Sequence, residues 1–257
     1  MALRLSNGTR NFLLQHGSFR DALEGGELQI YSGSQPANAN NAPSGTLLAV
    51  ITTNSQTRVA EVLATGFVDL TGGAAGSVDQ ITVDGADIMD NPVTFNSSLE
   101  QTAIDVATEI NQSQSSPEYR AEAGGTLVTI TAKRGSGAAP NGFAVASTAS
   151  TITTADIAFA GGVDSANGLR MGNAANGTIV KHPTDTWTGP GVANGTAGWF
   201  RFVGSVADGG GTDAVEQEIR VDGQIATSGA ELNLPSLSIA TAAVQTITSF
   251  QFSMPAS

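Results

Sequence analysis

Residues 17–52 read GSFRDALEGGELQIYSGSQPANANNAPSGTLLAVIT, and the fold is decided by how this stretch is read. Ser18 is placed to cap a short helix, with Asp21 in its first turn and Gly25 just past its end. Phe19, Ala22 and Leu23 fall at i, i+3 and i+4 and make one apolar face. After Gly25-Gly26, Leu28 and Ile30 alternate with Gln29 and Tyr31, the period of a half-buried strand. Residues 34–44 hold two Pro and several Asn with nothing to pack, so they are expected to form an exposed loop. Residues 46–53 then form a continuous apolar strand, buried on both faces or at an interface. Helix, strand, long polar loop and strand make the opening of a β domain whose other strands lie elsewhere in the chain.

Those strands are found at the far end. Residues 199–203, WFRFV, are aromatic and β-prone. Val215, Gln217, Ile219 and Val221 alternate with Glu216, Glu218 and Arg220, and Asp222-Gly223 is expected to turn the chain. Residues 232–234 and 237–239 read as short strands. Residues 244–254 close the chain, with a slip between Ile247 and Phe250 that predicts a bulge. From 164 to 195 the chain is rich in turns: Asn167-Gly168, Asn176-Gly177, Gly189-Pro190-Gly191 and Asn194-Gly195. At the N-terminus, residues 1–16 carry Leu3, Leu5, Phe12, Leu13 and Leu14 around an Asn7-Gly8 turn signal. Two short strands or an extended arm held on another subunit fit that pattern.

Between the two halves the character changes. Residues 67–70 and 80–83 read as strands around a Gly-rich turn at 72–76, and Asp84-Gly85 is a hairpin signal. Ser97 with Glu100, and Ser98 with Gln101, match a capping box. Leu99, Ala103, Val106, Ala107 and Ile110 then share one face of a helix at about 98–112. Alone in water such a helix is marginal. Burying each large apolar side chain gains roughly 1.5–3 kcal/mol, so it is expected to dock on a sheet. Residues 119–123 and 126–132, joined by Gly124-Gly125, supply a hairpin for it, and 143–145 and 157–159 supply further strands. The expected fold class is therefore mainly β. A split β-sandwich or jelly-roll-like base, residues 1–60 plus 164–257, carries an inserted small α+β domain at 61–163.

Composition narrows the function. The formal net charge is -12, and the basic residues are scattered, which disfavours nucleic acid as a partner. Without cysteine there is no disulfide framework, thiolate metal site or thiol nucleophile. No apolar run approaches the roughly 20 residues that span a bilayer, and residues 1–17 show no signal-peptide core, so neither a membrane nor export is expected.

No catalytic, cofactor or metal set emerges. His16 and His182 are the only histidines, and Asp185 beside His182 does not by itself make a metal site. A Ser-His-Asp triad lacks a G-x-S-x-G elbow. Residues 208–213, DGGGTD, offer carboxylates to calcium but lack EF-hand spacing, and a plain loop is the simpler expectation. Gly135-Ser136-Gly137 is not followed by the Gly-Lys of a P-loop. The three Asn-Gly-Thr sequons, at Asn7, Asn176 and Asn194, serve as turns. Trp187, Trp199, Phe200 and Phe202 make either an aromatic core or a carbohydrate platform, and core is the simpler expectation.

The segments FRDALEGGELQIYSGSQPANANNAPSGTLLAVIT, GTAGWFRFVGS, VDGQIATSGAELNLPSLSI and ITSFQFSMPA together resemble small β-rich virion proteins of tailed bacteriophages. The insert, from DQITVDGADI to NGFAV, resembles a domain that recurs in phage head and tail proteins. The resemblance implies a non-enzymatic virion structural protein, first of all a capsid decoration (cement) protein. It would be made in the host cytoplasm and assembled as a homotrimer on the major capsid protein. A neck, tail or fibre-associated component that binds host glycans is the alternative it leaves open. For contacts with copies or capsid, the apolar strand and the N-terminal arm are the expected surfaces: Leu47, Leu48, Val50 and Ile51, with Phe12 and Leu13.

Overall fold

The computed structural model describes residues 3–254. Residues 1–2 and 255–257, which the expected base domain includes, lie outside the described residues. The chain divides into two compact units, Met1–Glu61 with Ser165–Ser257, and Val62–Asp164. Each has its own buried apolar cluster. The protein is mainly β, in several antiparallel sheets. Among the described residues no helix is long and apolar enough to cross a membrane.

The first unit begins with β1 (Arg4–Leu5), α1 (Asn7–Gln15), α2 (Phe19–Leu23), β2 (Glu27–Ser32) and β3 (Leu47–Thr53). The cap expected at Ser18 is formed, closed by the Asp21 side chain into a capping box, and Gly25 follows with φ of 73°. Residues 7–15 are a helix rather than the expected strands or extended arm. Ser6 caps it by accepting the Thr9 N–H, and Gly8 lets its backbone lie against Gln217 and Glu218, where a Cβ would meet the Glu218 carbonyl at 2.5 Å. Asn-Gly is a turn signal only when nothing captures the next turn of backbone.

The second unit holds β4 (Thr65–Gly72), β5 (Ser77–Val83), β6 (Ala86–Asp87), β7 (Val93–Thr94), α3 (Leu99–Gln112), β8 (Arg120–Gly124), β9 (Leu127–Thr131), β10 (Val145–Ser150) and β11 (Thr153–Ala160). One sheet runs β11-β4-β9-β8 and the other β10-β5-β6, with β7 also on β5. Asp84 and Gly85, both at positive φ, turn β5 into β6 as a type I′ hairpin requires. Ser98 caps α3, and Ala103, Val106, Ala107 and Ile110 are buried against β8 and β9. The Asn111 side-chain amide both donates to the Ala121 carbonyl and accepts from the Ala121 N–H, fixing the helix to the rim of β8.

The chain then returns to the first unit as β12 (Thr178–Val180), β13 (Trp187–Pro190), β14 (Gly195–Val203), β15 (Arg220–Ala226), β16 (Leu232–Asn233), β17 (Ser238–Ile239), β18 (Val244–Ile247) and β19 (Gln251–Ser253). The long sheet runs β1-β15-β14-β2-β3-β13-β18, with β16 and β17 on β15 and β14, and β12 pairs with β19 separately. All of its pairings are antiparallel except β15 with β16. Three expectations are corrected here. The closing segment is two strands rather than one bulged strand, because 248–250 carry the chain from β13 across to β12. Residues 213–218 are not strand, and Val215 is exposed. Asp222-Gly223 is the middle of β15 and not a turn, since Asp222 faces Arg201 and Gly223 lies beneath the Phe200 ring.

Candidate functional site

The two faces of the long sheet differ in chemistry because strand side chains alternate. Leu28 and Ile30, Phe200 and Phe202, and Val221 and Ile225 point into the apolar core. There they meet Leu23, Leu169, Met171, Ile179, Trp187 and Phe250. The other face is ionic. Register places Arg4, Asp222, Arg201 and Gln29 in one cross-strand row over β1, β15, β14 and β2. Two residues along, Gln224, Trp199 and Tyr31 form the next row.

Charge on this face is consumed inside the unit. Arg201 grips Asp222 through Nε and Nη2, both at 2.8 Å, and both side chains are essentially unexposed. Arg220 grips Asp208 at 2.6 and 2.5 Å. Burial alone would lower the pKa of Arg220, but the Asp208 hydrogen bonds and charge outweigh it and hold the guanidinium protonated. Burial raises the Asp222 carboxyl above its ordinary value, against the pull of Arg201. Trp199 stacks on Tyr31 with ring centroids 4.6 Å apart, and Arg201 lies over the Trp199 ring. Tyr31 donates to Gln29, Gln29 donates to Glu27, and Glu27 pairs with Arg58.

The polar loop between β2 and β3 is the lid of this face. Most of it is exposed, as its composition predicts, but Pro36, Ala39 and Asn40 are buried against the sheet. The Arg201 Nη2 donates to the Ala39 carbonyl, Arg220 Nη1 to that of Asn40, Arg4 to that of Pro36, and the Trp199 indole to that of Ser44. Ala39 is wholly buried and Asn40 nearly so. A run of Asn, Ala and Pro offers no large apolar side chain, but its carbonyls satisfy buried guanidinium donors. One Arg201 nitrogen, Nη1, finds no protein acceptor.

The residues singled out in the sequence fall as follows. Leu48 and Ile51 are fully buried, because β3 lies between β2 and β13 in the sheet, and Phe12 is buried beneath α1. These three belong to the unit's own core and not to a contact surface, which corrects that expectation. Leu47, Val50 and Leu13 keep partial exposure. Trp187, Trp199, Phe200 and Phe202 are all buried, so they do not form a carbohydrate platform. The DGGGTD loop spends its carboxylates at home: Asp208 on Arg220, and Asp213 on the N–H groups of Gln217 and Glu218. His182 lies 3.6 Å from Asp185, which is taken by Arg170 at 2.6 Å. Burial works against the ionised Asp185, yet the Arg170 hydrogen bonds and charge keep its carboxyl below the ordinary value. Among the described residues no three His, Cys, Asp or Glu side chains converge as a metal site would require. Sequence reading missed the ionic row altogether, since its members are brought together only by strand register.

Comparisons with protein-family models, with curated proteins and with solved structures found no match.

Proposed function

We propose that this chain is a non-enzymatic structural protein of a tailed-phage virion, a decoration protein seated on the outer shell beside the major capsid protein and other copies of itself. The observation that carries the reading is the clamped loop. The long connection between β2 and β3 is nailed to the sheet by Arg4, Arg201 and Arg220. That yields a stiff platform whose buried charged groups serve its own cohesion, which suits a part of a shell under internal pressure. A separately cored unit enters it between Glu61 and Ser165. The phage assignment itself rests on the sequence resemblance. Stabilisation would come from surface buried across neighbouring shell subunits, with no covalent chemistry. The -12 charge fits an exterior position better than one against packaged nucleic acid.

Quantitative mass spectrometry of purified virions of the encoding phage, with a cryo-EM map, tests this. Copies in fixed proportion to the major capsid protein and density on the outer shell are expected. A few copies confined to one vertex or to the tail would refute the decoration role.

A further inference from the structure

Within the first unit the three longest stretches without a charged side chain are residues 28–57, 186–200 and 232–257. Strand order gathers much of them at one end of the long sheet, where β3, β13 and β18 are consecutive. β17 joins the start of β14 there. The connecting loops are sewn on by Gly191 N–H to the Ala243 carbonyl and Val192 N–H to that of Leu48. Val192 and Val244 are 50% and 62% exposed at this end, among exposed Pro190, Thr241 and Thr246.

β18 is the last strand, and among the described residues it pairs with β13 alone. Its residues are Val-Gln-Thr-Ile, with none of the Lys, Pro or inward charge that usually blunts a sheet edge. Three other rims are blunted. β1 at the opposite end has two residues, Asn111 occupies the backbone of β8, and the Asp156 carboxylate accepts the Ser147 N–H of β10.

We propose that this uncharged end is the surface through which copies of the chain associate, with β18 as the contacting strand. Copies of net charge -12 repel one another, and a face without charge is where they meet without stacking acidic groups. Contact cores are depleted of charge for the same desolvation reason. A basic foreign partner would instead be drawn to acidic surface. The inference takes from the proposed function only that copies associate, and it does not require a virion.

Sedimentation of the whole purified chain tests it. The unaltered protein should form a defined oligomer. Thr246→Lys lowers the net negative charge and Thr246→Glu raises it, yet both place an unpaired charge in the contact. Both should weaken association by about a hundredfold while circular dichroism stays unchanged. Val215→Glu, an exposed position outside the charge-free segments, should leave association intact. A monomer at high concentration would overturn the proposal. So would loss of association in the Glu variants alone, which would assign the effect to overall charge. Neither result touches the virion count, so failure of the two readings is told apart.

Discussion

Arg201 and Asp222 stand directly opposite one another on β14 and β15, joined by two hydrogen bonds of 2.8 Å in a setting that exposes neither. Both charges have been taken out of water, so the pair is costly to break from one side. Asp222→Ala leaves the guanidinium buried, with the Ala39 carbonyl as its remaining hydrogen-bond acceptor and the Trp199 ring beside it. It should cost about 3–5 kcal/mol in urea unfolding. Replacing both together, Arg201→Met with Asp222→Leu, should recover most of that loss. A single-variant cost below about 1 kcal/mol, the scale of an exposed pair, would show that the row contributes little to cohesion.

Local pattern was enough for much of the fold. The alternation in 27–32, the capped amphipathic face of 99–112 and the Gly124-Gly125 hairpin each involve neighbours a few residues apart, and each is present. What local pattern hides is pairing at a distance. Asp222-Gly223 has the composition of a turn, yet Asp222 is held by a residue 21 positions away and Gly223 gives room to the Phe200 ring. Gly189-Pro190 likewise reads as a turn but lies in β13, where Gly189 allows the Val50 carbonyl an approach no Cβ would permit. The ionic row has no sequence signature, because Arg4, Gln29, Arg201 and Asp222 come from four separate segments.

The insert should be removable. Glu61 still belongs to the first unit, with its N–H on the Ser205 carbonyl and its carboxylate accepting the Ser205 hydroxyl at 2.6 Å. Val59 bridges to Ala166 on the returning chain. Joining Glu61 to Ser165 through a short Gly-Ser linker therefore severs none of these bonds and leaves the first unit's apolar cluster whole. A single cooperative unfolding transition with strand-rich circular dichroism is the expected outcome. A chain without such a transition would show that the first unit does not stand alone.

Stability should peak in mild acid. Burial lifts the carboxyls of Glu24 and Glu218 above the ordinary 4.5. A carboxyl with a higher pKa folded than unfolded favours the fold more as pH falls and it takes up its proton. Relief of the -12 charge acts in the same direction. Asp185 has the opposite sign. Its lowered pKa contributes stability that is present above 3.8 and is lost as pH drops through the folded value. Calorimetric Tm should therefore rise from pH 7 to about pH 5 and fall below about pH 4. A steady decline from pH 7 downward would show that the raised carboxyls do not govern the profile.

The N-terminal helix depends on one saturated hydroxyl. Ser6 Oγ accepts the Thr9 N–H at 3.1 Å and the Arg220 N–H at 3.1 Å, and donates to the Glu218 carbonyl at 2.6 Å. It thus caps α1 and ties it to the start of β15 in the same stroke. Ser6→Ala removes the cap and leaves the Glu218 carbonyl short of a donor in a buried place. Thr9 continues to accept from Arg220, so the sheet itself should persist. The expected cost is about 2 kcal/mol, concentrated at the N-terminus. Hydrogen exchange should show lost protection over residues 7–15 with β14 and β2 unchanged, and limited proteolysis should cut first within that helix. Uniform loss of protection across the sheet would instead mean that α1 and the long sheet unfold as one piece.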